Sequence, residues 1–222
     1  ENARSAADRG AKLTRQLLAF ARKSRLDPRP TELTTLVNNF IEVIESSLGQ
    51  SVQLQLNLRR RLPTVMVDPE QLEMALLNII MNAKDAVGSG GMVTITTRQM
   101  HLNGDAQARQ LSSGDYVALE VHDDGAGMAP DVVERATEPF FTTKREGKGT
   151  GLGLAMASGF VQQSRGRLEI ESKPGEGALI RMLFPVSHLQ EAEEKSGRSQ
   201  HVAMAVEVRS HAAEHILVVE DS

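Results

Sequence analysis

Four short segments hold the residues of this chain that could do chemistry with a nucleotide. They are an asparagine pair, an acidic glycine-rich turn, an aromatic segment and a second glycine-rich turn, at residues 78–82, 123–127, 138–144 and 149–154. Each pattern alone is weak, because short glycine motifs occur often by chance. Their order and spacing together predict an ATP site that combines amide, carboxylate and phosphate-binding groups around one pocket.

The two asparagines stand four residues apart on a predicted helix. Asn78 and Asn82 would therefore project from one face, one turn apart. A carboxamide oxygen suits a Mg²⁺ ion that keeps water and phosphate oxygens as its other ligands. The same pair could instead satisfy nearby backbone groups, so the asparagines alone leave metal binding open.

A carboxylate ends a predicted strand just before two glycines. Asp123 could accept a hydrogen bond from an exocyclic amine, while Gly125 and Gly127 would let the backbone approach a flat ring. An ordinary tight turn after a strand explains the same residues. Asp124 is the less suitable partner, because it occupies the variable position of the Asp-x-Gly-x-Gly pattern.

The segment 128–148 has little regular apolar pattern and connects the two glycine-rich turns. Connections of this length are typically functional or disordered, and we predict a lid. Phe140 and Phe141 could latch this lid, and Lys144 could reach a phosphate or remain a solvated charge. Backbone N–H groups of the glycine-rich turn at 149–153 would form an anion site at the start of the next helix.

The composition restricts the class of protein. The 222 residues carry 25 basic and 29 acidic side chains, and this net charge of −4 gives no general electrostatic reason to bind nucleic acid. The absence of cysteine excludes disulfides and thiolate metal sites and agrees with a reducing compartment. No apolar run approaches the roughly 20 residues that span a bilayer. Because the chain does not begin with Met, we expect it to be part of a longer protein.

Hydrophobic periodicity predicts the elements that position these groups. Helices are expected at about 5–25, from after Thr31 to Leu48, at 70–87 and at 152–163, and strands at 51–58, 92–100, 116–122, 167–171 and 178–184. The residues of the second helix expected to face inward are Leu36, Phe40, Val43, Ile44 and Leu48. Adjacent strands with helices on one side predict an α/β fold, an α+β two-layer sandwich with a mixed sheet packed on helices.

With all four motifs in place, residues 31–186 resemble the catalytic and ATP-binding domain of bacterial sensor histidine kinases. The sequence Pro-Phe-Phe-Thr-Thr-Lys resembles the nitrogen-regulatory and hybrid branch. The resemblance implies that Asn82 is the Mg²⁺ ligand, that Asp123 reads the adenine amine and that residues 149–153 hold phosphates. No residue of the chain is assigned as catalytic. The residues expected to bind the nucleotide are Asn78, Asn82, Lys84, Asp85, Asp123, Gly125, Gly127, Thr143, Lys144, Gly149, Thr150, Gly151, Leu152 and Gly153.

One position separates kinases from ATPases in the superfamily, which also includes DNA gyrase, mismatch-repair ATPases and heat-shock chaperones. The ATPases carry Glu one helical turn before the metal-binding Asn, where it can activate water. Here that position is Asn78, whose amide has no useful basicity, and this favours a kinase. The alternatives are a superfamily ATPase and a degenerate module that binds nucleotide without catalysis.

The flanks resemble further parts of a hybrid kinase. Residues 8–25 resemble the second helix of the dimerisation and histidine-phosphotransfer hairpin, which forms a dimeric four-helix bundle. Residues 216–221 resemble the first strand of a receiver domain, with Glu220 and Asp221 as its acidic pair. The implied organisation is a partial hairpin at 1–28, the catalytic ATP-binding domain at 29–186, a linker at 187–213 and a truncated receiver strand at 214–222.

The chain departs from the family pattern in three places. None of its six histidines (His101, His122, His188, His201, His211 and His215) lies in the context of a phosphoacceptor. Asp85 stands where many members carry a basic phosphate contact, and Lys84 could compensate. Ala178 replaces a common Thr after Gly177, so one hydrogen bond near the base has no assigned donor.

These resemblances imply a cytoplasmic kinase, or the cytoplasmic part of a membrane-anchored sensor. With ATP and Mg²⁺, it would transfer the γ-phosphoryl to a His outside this chain and onward to a receiver Asp. The intact protein is expected to be a homodimer through the hairpin, with a receiver domain or response regulator as partner and no nucleic acid.

Overall fold

The computed structural model describes residues 26–104, 107, 109–144 and 149–187. The predicted first helix, the receiver strand and all of the predicted linker except Ser187 lie outside these residues. No helix within the described ranges is long and apolar enough to cross a membrane. The helices there are α1 (Leu33–Leu48), α2 (Pro69–Val87), α3 (Pro130–Arg135) and α4 (Gly153–Gln163), and the strands are β1 (Arg29–Thr31), β2 (Gln53–Leu58), β3 (Val65–Val67), β4 (Met92–Leu102), β5 (Gly114–Asp123), β6 (Arg167–Ser172) and β7 (Ala178–Pro185).

The main sheet has five strands in the order β2-β4-β5-β7-β6. Strands β2 and β4 are parallel, whereas the other neighbours are antiparallel. Apolar residues of α1, α2 and α4 pack with one face of this sheet in a single core. The architecture confirms the predicted two-layer sandwich with a mixed sheet. A separate antiparallel pair, β1 and β3, precedes α2.

Local sequence signals define both ends of α2, the helix that carries the asparagine pair. Pro69 takes the first helical position, where its missing N–H costs no hydrogen bond, and the Asp68 carboxylate accepts a hydrogen bond from the Gln71 N–H. Gly88 ends the helix with a φ of 66°. In the same way, α1 ends at Gly49, whose φ is 71°.

The structure corrects some of the predicted elements. Val43 is 43% exposed rather than inward-facing, because it lies about 100° around α1 from the buried Ile44, at the edge of the apolar stripe. Strands β1 and β3 were not predicted, since three residues are too few to show alternation. Pro30 also lies inside β1, and Pro69 follows β3 by two residues. Helix α3 lies in the segment that was expected to be a loop throughout.

An ion-pair network covers the sheet face opposite the core. Arg181 on β7 contacts Glu120 on β5 and lies 2.9 Å from Glu169 on β6, while Arg98 on β4 reaches Glu120 at 2.8 Å. Burial on its own would raise the pKa of Glu120, but hydrogen bonds from the two arginines outweigh it and lower that pKa. The network links four strands and so supports the end of β5, where Asp123 lies.

Candidate nucleotide site

One face of α2 brings the asparagine motif to the start of α4. Asn78, Asn82 and Asp85 follow each other at helical spacing and therefore share this face. A Cβ added at Gly153, the first residue of α4, would lie 3.6 Å from the Asn78 Cβ. The asparagine face and the glycine-rich helix start are thus neighbours, as the resemblance implied.

The lid contributes a lysine to the same face. Lys144 Nζ lies 3.0 Å from Asn82 Oδ1 and 2.5 Å from Asp85 Oδ2. The Lys144 side chain is 33% exposed, so this ion pair is only partly shielded from solvent. Sequence reasoning expected Lys144 near phosphates but did not predict its pairing with Asp85, which is 59 residues away.

The second glycine-rich turn is packed tightly against the first part of the aromatic segment. The Phe140 N–H donates to the Gly151 carbonyl at 2.9 Å. Gly151 has a φ of 63°, and a Cβ there would lie 2.4 Å from the Phe140 carbonyl carbon. A Cβ at Gly149 would lie 2.8 Å from Thr142 Oγ1. Gly151 is therefore required for this approach, because it faces backbone atoms, whereas a Cβ at Gly149 would displace only side-chain atoms of Thr142 and Lys144.

The start of α4 has the properties of an anion site. Among the described residues no side chain caps this end of the helix, so its first N–H groups have no side-chain acceptor. Gly149, Thr150 and Gly151 lead into it and are half-buried, while Thr143 is exposed. Leu152 is fully buried, which leaves only its backbone to contact a ligand.

Asp123 is a buried carboxylate at the end of β5, with 4% of its surface exposed. Its Oδ1 accepts a hydrogen bond from the Gly125 N–H at 3.0 Å, and the Ala178 N–H also donates to the carboxylate. Burial raises the pKa of Asp123 above its ordinary value, although these two hydrogen bonds oppose the shift. The backbone of Ala178 thus contacts the residue expected to read the base.

The glycines after Asp123 are needed for backbone packing. A Cβ at Gly125 would lie 2.6 Å from the Ala86 carbonyl carbon at the end of α2. Gly127 has a φ of 66°, and a Cβ there would lie 1.9 Å from the Lys173 carbonyl oxygen. Asp124 instead accepts a hydrogen bond from the Met92 N–H at 2.8 Å, which ties β5 to β4.

The structure does not bring Lys84 to this site. Its Nζ donates to the Ser47 carbonyl oxygen at 2.5 Å, at the end of α1. The physical reason is helical geometry, because Lys84 lies two residues after Asn82 and therefore about 200° around α2. The expected compensation for Asp85 by Lys84 is corrected: the cation next to Asp85 is Lys144.

A metal ion at this site would need ligands beyond the protein. The described ranges contain no group of three or more His, Cys, Asp or Glu residues able to hold a metal. The Asn82 carboxamide oxygen already faces a cation, the Lys144 ammonium. These donors suit Mg²⁺, which accepts one or two protein oxygens when phosphates and waters complete its octahedron.

Comparison with known proteins identifies the family. Residues 67–188, which are more than half of the chain and include all four motifs, match the histidine kinase-, DNA gyrase B- and HSP90-like ATPases. The chain belongs to this ATPase family. Its asparagine, glycine and aromatic segments therefore all lie within the family domain.

Within this ATPase family the chain is similar to sensor kinases. It is 38% identical over 186 residues to the sensor kinase CckA of Brucella abortus, and the match covers 83% of this chain and 20% of CckA. It is 31% identical over 182 residues to the sensor histidine kinase ZraS of Escherichia coli K12, covering 82% of this chain and 36% of ZraS. The chain thus spans about a third or less of these relatives.

Two solved structures show the same fold. Full-length ShkA in complex with AMPPNP superposes with a TM-score of 0.66 at 26% identity, covering 83% of this chain and 37% of ShkA. The nucleotide-free catalytic domain of the histidine kinase ThkA superposes with a TM-score of 0.56 at 22% identity, covering 72% of this chain and 97% of that domain. The expected histidine-kinase ATPase-like fold is confirmed.

Proposed function

We propose that this chain is the ATP-binding catalytic part of a two-component sensor histidine kinase. Two comparisons support the proposal: the match of residues 67–188 to the family domain and the sensor kinases among the relatives of this chain. The observation within the site that carries it is the amide of Asn78, which lies one turn before Asn82 and against the start of α4.

The residues of the pocket divide the binding of Mg-ATP between them. Asn82 offers a carboxamide oxygen to the metal, and the first turn of α4 offers N–H groups to phosphates. Asp123 is buried, and the Gly125 N–H positions its carboxylate. This carboxylate accepts a hydrogen bond from the exocyclic amine of adenine. When bound, Mg²⁺ neutralises charge on the phosphate oxygens. The protein's contribution is positioning, which is the main requirement of phosphoryl transfer.

Transfer to a protein side chain, rather than to water, follows from Asn78. An amide cannot accept a proton from water, so hydrolysis lacks a general base at that position. The γ-phosphoryl is then available to a histidine acceptor, from which it would pass to a receiver Asp. None of the six histidines of this chain lies in a phosphoacceptor context, so the acceptor belongs to the hairpin of the intact protein.

The remaining assignments follow the same proposal. The segment 128–148 acts as a lid. Phe140 and Phe141 lie in the part of this lid that contacts the phosphate-binding turn. Thr143 lies between that aromatic pair and Lys144. The intact protein is a homodimer through its helical hairpin and acts on a receiver domain or response regulator. Its catalytic part works in the cytoplasm, where ATP is available.

The proposal is tested with γ-labelled ATP and Mg²⁺ on this chain and on a version extended upstream to include the whole hairpin. The extended protein should acquire label that is stable in base and lost in acid, as phosphohistidine is. The present chain should acquire none and should release labelled phosphate only slowly. Fast release without an acceptor would indicate an ATPase, and absence of label on the extended protein would indicate a degenerate binding module. Either result contradicts the proposal.

A further inference from the structure

We propose that Asp85 and Asn82 form one cation subsite, and that the Lys144 ammonium and Mg²⁺ exclude each other from it. This inference rests on the proposed function, because it concerns the metal that accompanies ATP. It adds Asp85 as a second metal-side group of the protein. It also makes Lys144 a competitor of the metal in addition to a candidate phosphate contact.

The geometry places two oxygen donors around a single positive charge. Asn82 and Asp85 are three residues apart on α2, so their side chains leave the helix on one face. Lys144 Nζ lies within hydrogen-bond distance of both, at 3.0 Å from Asn82 Oδ1 and 2.5 Å from Asp85 Oδ2. A neutral amide and a carboxylate thus present their oxygens to the same point.

Such a pair of oxygens also suits a hard divalent cation. Mg²⁺ prefers oxygen ligands at about 2.0–2.1 Å and is commonly held by one or two carboxylates together with phosphates and water. Asp85 is about half-exposed, so it could contact the metal directly or through a bound water. A basic residue at position 85 would repel the metal, whereas the acid attracts it. Asp85, which departs from the family pattern, therefore has a role in attracting the metal.

The ammonium and the metal cannot share this subsite. Both would use the lone pairs of Asn82 Oδ1, which would place two positive charges within a few ångströms of each other. Two positive charges this close repel each other, and more strongly near a protein surface than in bulk water. Metal binding must therefore release Lys144 from Asn82 and Asp85. The released side chain is then available to the phosphates that arrive with the metal.

The exchange connects the metal to the lid. Lys144 belongs to the end of the lid segment, and its own N–H donates to Thr142 Oγ1 at 3.2 Å. A Cβ at Gly149 would lie 3.2 Å from Lys144 Cδ, so the lysine also lies against the phosphate-binding turn. Because competition is reciprocal, a stronger hold on Lys144 raises the metal concentration that the site requires.

The experiment measures AMPPNP affinity by calorimetry over a series of Mg²⁺ concentrations and reads the midpoint of the Mg²⁺ dependence. Lys144→Met should lower this midpoint, and Asp85→Asn should raise it. Each shift is expected to be about two- to fivefold, the range of a partly exposed charge contact. The affinity without Mg²⁺ should not fall in Asp85→Asn, because removing a negative charge cannot weaken contacts to phosphates.

Two matched variants serve as controls, Lys173→Met and Asp27→Asn, which make the same changes at exposed positions away from the subsite. Neither should move the midpoint. An unchanged midpoint in Asp85→Asn, or an unchanged or higher midpoint in Lys144→Met, overturns the inference. If Asn82→Ala abolishes the Mg²⁺ dependence at the same time, the proposed function survives. Absence of nucleotide binding by the unmodified chain would overturn both.

Discussion

Phe140 and Gly151 are joined by a backbone hydrogen bond of 2.9 Å between the Phe140 N–H and the Gly151 carbonyl. Both residues have left-handed backbone, with φ of 69° and 63°. The Phe140 ring is 60% exposed, so its backbone rather than its side chain makes this connection. The end of the lid segment and the phosphate-binding turn therefore form one structural unit, and a change in one should be felt by the other.

Gly151→Ala should abolish or strongly weaken nucleotide binding. The new Cβ would lie 2.4 Å from the Phe140 carbonyl carbon, so the turn and the aromatic segment must separate. The control is Gly88→Ala, at a φ of 66° with no atom within 4 Å of its Cβ. Both changes place an alanine at a positive φ, which residues with a Cβ rarely adopt. Nucleotide titration together with thermal melts separates strain from collision, and equal affinities in the two variants would refute the collision.

Asp123→Asn should lower nucleotide affinity and relax the preference for adenine over guanine. A carboxylate is a charged acceptor for a hydrogen bond from the adenine amine. An amide is a weaker acceptor and also offers an N–H to guanine. Competition between ATP and GTP measures the effect. Asp124→Asn is the control, because Asp124 bonds the Met92 N–H and should leave base preference unchanged. Unaltered discrimination in Asp123→Asn would remove Asp123 from the base-reading role.

The raised pKa of Asp123 adds a pH dependence to the same variant. Burial raises this pKa in the folded state, so folding favours the protonated form and the carboxylate costs stability above that pKa. Asp123→Asn should therefore melt no lower than the unmodified chain at pH 7 without nucleotide. The affinity of the unmodified chain for adenine nucleotides should fall on acidification, because the protonated carboxyl is a poorer acceptor. The fall should begin at a higher pH than it would for an Asp with the ordinary pKa of 3.8. A lower melting temperature would mean that the carboxylate is a structural requirement.

Arg181→Met should destabilise the fold by about 1.5–3 kcal/mol, the range for lost hydrogen bonds to charged groups. Glu120 keeps Arg98 and Glu169 keeps Arg109 as ion-pair partners, so neither carboxylate is left unpaired. The side chains of Arg181, Glu120 and Glu169 are at most 14% exposed, so water cannot replace the lost contacts. Urea unfolding provides the measurement. Arg29→Met is the control, since its ion pair with Asp27 is exposed and should contribute little. Similar losses in both variants would show that the network adds little stability.

The regular elements could be predicted because their signals are local. Alternation along 51–58 and the proline and glycines around α2 are local properties, and the observed bounds differ from the expected ones by at most two residues. The short elements carry no such period. Strand β3 has three residues and α3 has six, which is fewer than two helical turns. Their formation depends on tertiary contacts.

The sequence predicts those parts of the site whose residues share one helix or turn. It does not predict contacts between residues that are far apart along the chain. Asn78, Asn82 and Asp85 share a face because they share a helix. The contact between Asp85 and Lys144 spans 59 residues, and the one between Glu120 and Arg181 spans 61. The sequence indicated Lys84 as compensation for Asp85 and Lys144 as a phosphate contact, whereas the structure places Lys84 on another side of α2 and Lys144 beside Asp85.

The central claim, a Mg-nucleotide site with Asn82 as its metal ligand, is tested most directly by calorimetric titration of ADP with and without Mg²⁺. The unmodified chain should bind ADP more tightly with the metal than without it. Asn82→Ala should lose this Mg²⁺-dependent part of the affinity while keeping its metal-free affinity, because the lost interaction is a metal contact. Equal losses with and without Mg²⁺, or no binding of ADP by the unmodified chain, would contradict the account.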